Sequence, residues 1–228
     1  MLAEFEKSQF DARAEELAAR SYISGNRAYD QLDYFGLTKS DNYNAPWKNY
    51  QGKKILDVGA GVSDFTAKLL EKGADAYAVD YGYKDLDAYI ARISHWRAEG
   101  QRFLRLVQAN PQRYVYGLAH DLPFAADTFD AVTSYFGIIG AMDKDVEVAQ
   151  SCMDEAIRVL KPGGILQVGP LFDVQFTQEQ KTNQQALLEI LAARRDIDME
   201  VRLPRGLRTL ISSGSVSDMG KITIIKNI

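Results

Sequence analysis

The sequence predicts an α/β fold, with a mostly parallel sheet that is covered on both faces by helices. Apolar runs typical of buried strands alternate with helical segments that are long enough to cross over the sheet. A glycine-rich turn joins the first strand to the first of these helices. The last two strands have no helix between them, so we expect one of them to run antiparallel.

Two strands and three helical segments are predicted between residue 50 and residue 110. The apolar run Lys54–Val58 is typical of a buried parallel strand, and Phe65–Glu71 begins a helix. A second buried strand, Ala76–Asp80, follows it. Apolar residues on one helical face predict a helix over Leu86–Arg97, and a further helical piece covers Phe103–Gln108.

The rest of the chain is predicted to contain two helices and five strands. One helix covers Lys144–Leu160, where apolar residues recur every three or four positions. The other opens on a capping box at Thr177–Gln180 and reaches about Ala193. The strands are Arg113–Leu118, Asp130–Phe136, Ile165–Gly169, Met199–Leu203 and Lys221–Lys226.

The turn after the first strand indicates a cofactor that carries an adenosyl group. Gly59 and Gly61 let the backbone approach a ligand, because a Cβ there would occupy the ligand's space. Asp80, at the end of the second strand, is placed to accept hydrogen bonds from both hydroxyls of a ribose. A dinucleotide site would need a third glycine at position 64, but Asp64 stands there and would repel a diphosphate.

Three segments of the chain resemble the S-adenosylmethionine-dependent methyltransferases of the Rossmann-like class. Asp57–Asp64 has the Asp-x-Gly-x-Gly pattern of that family and is followed by the strand-terminal acid Asp80. His120–Phe136 and Arg158–Gly164 also match, the second through the pattern Arg-x-Leu-Lys-Pro-Gly-Gly. Together the segments cover residues 51–228. The resemblance implies a seven-stranded sheet whose last strand is inserted antiparallel.

The resemblance also implies a cofactor, S-adenosyl-L-methionine, with S-adenosyl-L-homocysteine as its product, and a set of binding residues. Those expected to line the methionine part of the cofactor are Asp57, Gly59, Ala60 and Gly61. Those expected around the ribose and adenine are Asp80, Tyr81, Ala119, His120 and Asp121. The family has an acid for the adenine amino group where this chain has Leu118, so we expect backbone groups near Ala119, with His120 or Asp121, to replace it.

Tyr135 and Phe136 end the fourth strand, and the resemblance places them beside the reactive methyl group. Ligands of open α/β sheets bind at the carboxyl ends of the strands. Methyl transfer from a sulfonium needs alignment more than acid or base chemistry, and the catalytic candidates are therefore only Tyr135 and His120. For His120, the alternatives are a loop histidine packed against Asp121, a cofactor contact or a general base. Cys152 is expected to be a core thiol.

The composition narrows the partners and the location. A net charge of −4 and a pI near 5.3 disfavour nucleic acid as a substrate. The lone cysteine, the absence of an apolar leader and the lack of a run of 18 apolar residues predict a cytoplasmic protein with no membrane span. No pattern of metal ligands is evident, so no metal is expected. The oligomeric state stays open, with a homodimer among the options.

We expect two parts in the chain, a helical cap over residues 1–50 and a methyltransferase domain over residues 51–228. The cap begins with the helical stretch Phe10–Arg20 and continues into a segment rich in tyrosine. The leading hypothesis is O- or N-methylation of a small molecule held under this cap. The alternatives are methylation of a protein or peptide, and a non-catalytic module that keeps the fold as a cofactor-binding or scaffolding unit. Arg202, Arg205 and Arg208 could receive an anionic substrate or an acidic peptide, but a solvated basic loop is the simpler explanation.

Overall fold

A single sheet organises the protein, and its helices pack on both faces. The computed structural model describes residues 2–20, 50–92, 97–142, 145–171, 177–202 and 220–228. The helices within these residues are α1 (Leu2–Arg20), α2 (Phe65–Glu71), α3 (Leu86–Arg92), α4 (Arg97–Ala109), α5 (Gly137–Met142), α6 (Val146–Val159) and α7 (Gln178–Ala192). The strands are β1 (Lys54–Val58), β2 (Asp75–Asp80), β3 (Tyr114–Tyr116), β4 (Phe129–Tyr135), β5 (Leu160–Leu171), β6 (Ile197–Arg202) and β7 (Gly220–Lys226).

The sheet has seven strands in the order β3-β2-β1-β4-β5-β7-β6. The pairs from β3 through to β5 are parallel, whereas β7 lies antiparallel to both β5 and β6. The prediction that one of the last two strands runs antiparallel is confirmed, and β7 is that strand. The direction of crossover reverses between β1 and β4, which is where open α/β sheets bind their ligands.

Alternation along each strand divides the core between the two faces of the sheet. Leu56 and Val58 join a cluster with residues of α5, α6 and α7, whereas Ile55 packs against α2 on the other side. A third cluster beside β3 is aromatic and includes Tyr83 and Phe103. Cys152 is 3% exposed within the first cluster, and burial raises the pKa of its thiol to about 12. The prediction of a core thiol is confirmed.

Several predicted boundaries differ from those of the structure. The helix α5 is not predicted, because six residues that begin with glycine are too few to show a helical period. Strand β5 is longer than predicted: its pairing to β4 passes from Phe129–Leu160 directly to Ala131–Ile165, so Lys161–Gly164 bulge out between the two pairs. The predicted helix end at the Arg158–Gly164 segment is confirmed, since α6 ends at Val159. The capping box at Thr177 is also present.

Some sequence predictions fall outside the described residues. They concern the tyrosine-rich segment between residues 21 and 49 and the arginines Arg205 and Arg208. Across the ranges that are described, no helix combines the length and the apolar character needed to span a membrane. No group of three or more His, Cys, Asp or Glu side chains in those ranges is arranged to hold a metal ion.

Candidate functional site

The turn after β1 lies at the point where the direction of crossover reverses, between β1 and β4. Close packing against a neighbouring loop determines its shape. Gly59 has a φ of +68°, and its amide donates to the carbonyl of Val79 at 2.9 Å. A Cβ on Gly59 would lie 2.5 Å from the Cα of Gly137, at the start of α5. Glycine is therefore required at position 59 by the approach of a neighbouring loop. The sequence analysis attributed that requirement to a ligand alone.

The Asp80 carboxylate connects the turn after β1 to the turn after β2. Its Oδ2 accepts from the amide of Gly61 at 2.9 Å, and its Oδ1 accepts from the amide of Gly82 at 2.7 Å. The side chain is half-buried at the carboxyl end of its strand. Because a carboxylate oxygen can accept more than one hydrogen bond, this arrangement orients Asp80 and leaves it able to bind the hydroxyls of a ribose.

Asp57 is a buried acid with an unsatisfied oxygen. The residue is 1% exposed, and its Oδ1 accepts from the hydroxyl of Thr133 at 3.1 Å. Its Oδ2 has no hydrogen-bond partner among the described residues. Burial raises the pKa of Asp57 to about 7, the hydrogen bond from Thr133 opposes that rise, and the nearby Asp80 adds to it. A buried carboxyl group with an open acceptor suits a cationic ligand group such as an ammonium.

Asp64 lies at the beginning of α2 but does not cap it. Its Oδ2 is 2.7 Å from Nη2 of Arg102 and 3.2 Å from Nζ of Lys68. The hydroxyl of Ser63 accepts from the amide of Phe65 instead. The start of this helix therefore carries a buried acid paired with two cations. A diphosphate would meet a carboxylate there, which agrees with the argument against a dinucleotide.

Aromatic rings lie beside Asp80 at the carboxyl ends of β2 and β3. The rings of Tyr81 and Tyr116 are 6.1 Å apart, and Nζ of Lys84 lies 5.7 Å from the centre of the Tyr116 ring. Tyr116 is 39% exposed, so the face of its ring is open to a ligand. Two aromatic rings beside an acid that is placed for a ribose suit an adenine base. The resemblance indicates Tyr81 for that role, and Tyr116 is an addition from the structure.

The turn that follows β3 contains Ala119, His120 and Asp121, and it faces the N-terminal helix. The His120 side chain is 6% exposed, and its Nε2 lies 3.5 Å from Oδ1 of Asp11. Its ring packs edge-to-face against Phe10 at 5.6 Å. The sequence suggested Asp121 as a packing neighbour, but Asp121 is exposed, and the side chains that contact His120 include Phe10 and Asp11 of α1. Ala119 is partly buried against the core.

Arg158 joins two of the three segments that carry the family resemblance. Its Nη2 donates to the carbonyl of Leu122 at 3.2 Å, and its Nε donates to Glu155 at 2.6 Å. Glu155 in turn accepts from the amide of Leu122 at 2.8 Å. These hydrogen bonds hold the turn after β3 against α6. The arginine of the Arg-x-Leu-Lys-Pro-Gly-Gly pattern thus has a structural role at the turn after β3.

Tyr135 and Phe136 end β4 in a tightly constrained turn. Tyr135 is 7% exposed, and its ring lies 4.9 Å from that of Phe136. Phe136 has a φ of +65°, which is rare for a bulky residue, and its amide donates to the carbonyl of Gly169 at 2.7 Å. Backbone conformations of this kind often occur at functional sites. Thr133 pairs with Asp57 of the neighbouring strand, and Tyr135 is two positions further along β4. The three side chains therefore lie on the same face of the sheet.

Sequence reasoning did not identify four residues that shape this site: Thr133, Gly137, Tyr83 and Tyr116. Thr133 had one signal, because it is a polar residue that directly follows the apolar pair Ala131 and Val132 within a predicted strand. Gly137 had another, as a glycine directly after a strand. Tyr83 and Tyr116 had no local signal, since their contacts depend on the arrangement of the loops around Asp80.

Comparison with known proteins identifies a family. The model of the "ubiE/COQ5 methyltransferase family" matches residues 38–191, which is more than half of the chain. A demethylmenaquinone methyltransferase of Clavibacter sepedonicus is 36% identical over 113 residues, or 50% of this chain and 39% of that protein. A ubiquinone/menaquinone biosynthesis C-methyltransferase of Cereibacter sphaeroides is 37% identical over 120 residues, or 51% of this chain and 42% of that protein. The matched part thus spans about two-fifths of these relatives.

Solved structures support the fold. The PH0226 protein of Pyrococcus horikoshii matches with a TM-score of 0.54 and 16% identity, covering 90% of this chain and 93% of that one. A TehB-like methyltransferase of Corynebacterium glutamicum matches with a TM-score of 0.51 and 15% identity, covering 99% and 100%. At these identities, the likeness extends to the Rossmann-like fold alone.

Proposed function

The chain belongs to the ubiE/COQ5 methyltransferase family, and we propose that it methylates a ring carbon of a small quinone-type acceptor in its reduced form. It is an S-adenosylmethionine-dependent methyltransferase. The observation that carries the proposal is the family match over residues 38–191, which includes the whole of the site around Asp57 and Asp80. Carbon, in place of the oxygen or nitrogen expected from sequence, is supported by the C-methyltransferase relatives.

We assign the cofactor contacts from the geometry of the site. Asp80 accepts from the ribose hydroxyls, and the Tyr81 and Tyr116 rings flank the adenine with the turn at Ala119, His120 and Asp121. The buried Asp57 faces the ammonium, while Gly59, Ala60 and Gly61 line the methionine part. The unpartnered Oδ2 of Asp57 supports this assignment, because a buried carboxylate gains most from a cationic partner.

The chemistry needs positioning more than a strong base. When bound, S-adenosylmethionine supplies a methyl group on a sulfonium, which is already electrophilic. The chain must hold the acceptor carbon in line with that group and exclude water. Tyr135 is the better of the two catalytic candidates, since it lies on the Asp57 face at the end of β4. His120 is covered by Phe10 and Asp11 of α1 and is better placed to support the adenine turn.

The N-terminal segment is proposed to close the acceptor site. Helix α1 contacts α5 and the turn Tyr81–Lys84, both at the carboxyl edge of the sheet. Arg13 pairs with Asp145 and Glu147 at the start of α6, each at 2.9 Å. These contacts support a cap over residues 1–50 above a catalytic domain over residues 51–228.

The test is to incubate the purified chain with methyl-labelled S-adenosylmethionine and a panel of acceptors. The panel contains reduced naphthoquinones and benzoquinones, simple phenols, amines and an acidic peptide. Mass spectrometry and NMR then show whether the label lies on carbon, oxygen or nitrogen. We expect ring C-methylation of a reduced quinone by the wild type and by Asp87→Ala, whose carboxylate is exposed on α3. Asp80→Ala should lose it.

Each other outcome revises the proposal in a defined way. Label on oxygen or nitrogen only would overturn carbon methylation and restore the acceptor class expected from sequence. Label on the peptide only would indicate a protein methyltransferase. Cofactor binding without transfer to any acceptor would favour the non-catalytic module.

A further inference from the structure

Both backbone polar groups of Gly61 are held by residues at the end of β2 and in the segment that follows it. The Gly61 amide donates to Oδ2 of Asp80 at 2.9 Å, and the Gly61 carbonyl accepts from the hydroxyl of Tyr83 at 2.7 Å. Gly61 has a φ of +59°, in the left-handed region. The donor and the acceptor of one glycine are therefore fixed by two residues that are three positions apart. The orientation of the Gly61 amide toward Asp80 depends on both.

Tyr83 is rigid because aromatic rings surround it. The residue is 8% exposed, and its ring stacks on Phe103 with centres 5.7 Å apart. Tyr114 and Tyr89 pack against it edge-to-face at 6.0 Å and 6.5 Å. Burial raises the pKa of the Tyr83 phenol well above its usual value, with smaller effects from Asp80 and Tyr89, so the hydroxyl stays a donor at any ordinary pH.

We infer that Tyr83 is a positioning residue for the cofactor, acting through Gly61 and Asp80 without touching the cofactor itself. With the Tyr83 hydroxyl in place, the backbone of Gly61 is fixed, and the Gly61 amide holds Asp80 in the orientation that a ribose requires. Without the hydroxyl, the backbone of Gly61 loses one of its two anchors. Asp80 then has to be reoriented each time the cofactor binds, which lowers affinity.

The same cluster contains a matched control. Tyr114 is also 8% exposed and packs against both Tyr83 and Phe103, but its hydroxyl has no hydrogen-bond partner among the described residues. Tyr83→Phe and Tyr114→Phe therefore remove the same atom from the same environment. Only the first change removes a hydrogen bond to the glycine turn.

The experiment measures S-adenosylmethionine and S-adenosylhomocysteine binding by calorimetry, and the unfolding temperature without ligand. This inference rests on the use of S-adenosylmethionine, so binding is measured and no methyl acceptor is needed. We expect Tyr83→Phe to weaken binding roughly three- to tenfold, the range of one net hydrogen bond. Tyr114→Phe should bind as the wild type does.

A double-mutant cycle separates positioning from general destabilisation. If Tyr83 acts through Asp80, Tyr83→Phe should have little further effect in an Asp80→Ala background. Wild-type affinity in Tyr83→Phe, equal losses in both phenylalanine variants, or additive losses in the double mutant would each overturn the inference. These outcomes leave the assignment of the cofactor intact, whereas absence of binding by the wild type would overturn both.

Discussion

The two buried acids that flank the glycine turn, Asp57 and Asp64, have different partners, and the partners determine whether each carboxylate can bind a further cation. Asp64 is 5% exposed and lies within 3.2 Å of both Lys68 and Arg102. Asp57 is 1% exposed, and the one hydrogen bond that its carboxylate accepts from the described residues comes from the neutral hydroxyl of Thr133. The charge on Asp64 is therefore compensated by the protein. The charge on Asp57 can be compensated by a bound cation.

Cofactor binding should depend on the ionisation of Asp57. Burial holds the pKa of Asp57 at about 7, so its carboxyl group is mostly protonated below that pH and cannot pair with an ammonium. We expect affinity for S-adenosylmethionine to rise as the pH increases toward 7 and to fall again above about 8, where the α-amino group of the cofactor loses its proton. Calorimetry between pH 5.5 and pH 8.5 measures the profile. Asp57→Asn should bind more weakly and with a flatter profile, and an unchanged profile in that variant would contradict the assignment.

The same group makes folding stability depend on pH in the opposite direction. The pKa of Asp57 is about 7 in the folded chain against 3.8 as the ordinary value, so the folded state holds the proton more tightly. This contribution to stability is fully present below about pH 4 and is lost as the pH rises toward 7. In the unliganded protein, the difference in unfolding free energy between the wild type and Asp57→Asn should therefore shift against the wild type across that window.

Comparing Gly59 with Gly52 tests whether packing, and not only backbone conformation, requires glycine in the turn after β1. Gly52 lies before β1 and has a similar backbone conformation. Their φ values are +68° and +69°, but a Cβ on Gly52 would have no atom within 4 Å. Both alanine variants bear a similar conformational cost of about 1 kcal/mol. Gly59→Ala must also displace Gly137, which should add about 1–3 kcal/mol. Urea denaturation measures both values, and equal losses would show that the two loops can separate at little cost.

At the scale of elements, the strands and helices with a clear local sequence pattern were predicted, whereas a helix that depends on tertiary contacts was not. The strands β1, β2 and β4 were predictable because each contains a short run rich in apolar and β-branched residues. Helix α7 was predictable because Thr177 and Gln180 form a capping box. Helix α5 was not, because its six residues depend on tertiary contacts. Ile138 and Ile139 are fully buried, and the Ile138 amide donates to the Ser134 hydroxyl at 2.8 Å.

The candidate site divides in the same way. Asp57, Gly59 and Asp80 belong to motifs with fixed spacing, so the sequence identified them. Tyr83 and Thr133 act through contacts that arise only when β1, β2 and β4 are assembled side by side. No spacing in the chain reports that a phenol 22 residues beyond Gly61 donates to its carbonyl. Motifs thus indicate candidate ligand contacts, but they do not indicate the residues that support those candidates.

At the scale of the whole molecule, α1 is the described link between the proposed cap and the sheet. One side of this helix is buried: Ala14 is 3% exposed within the main core cluster, and Phe10 packs against the same cluster. Ala12, two positions earlier, is exposed. The ion pairs of Arg13 are partly solvated and contribute little by comparison. Burial of Ala14 and Phe10 is therefore the main force that docks the helix.

An arginine at position 14 should separate the cap from the catalytic domain. Ala14→Arg places a charged side chain where an alanine is buried, and α1 has to leave its site to solvate it. The hydrogen bonds that hold Asp80 to Gly61 and Gly82 do not involve α1, which contacts the proposed cofactor site only at its edge, through the Tyr81–Lys84 turn and His120. We therefore expect S-adenosylmethionine binding within about threefold of the wild type, well under the 1.4 kcal/mol of a tenfold change, and a large loss of methyl transfer.

Ala12→Arg is the matched control, because it adds the same side chain to the exposed face of the same helix. It should retain both cofactor binding and transfer. Calorimetry measures cofactor binding. Transfer is measured with methyl-labelled S-adenosylmethionine and the proposed reduced quinone acceptor. If Ala14→Arg kept full transfer while protease cleavage within residues 2–20 showed that α1 had been released, the helix would not be part of the acceptor site. If it lost cofactor binding as well, the cap would support the ribose side of the site through the Tyr81–Lys84 turn that α1 contacts.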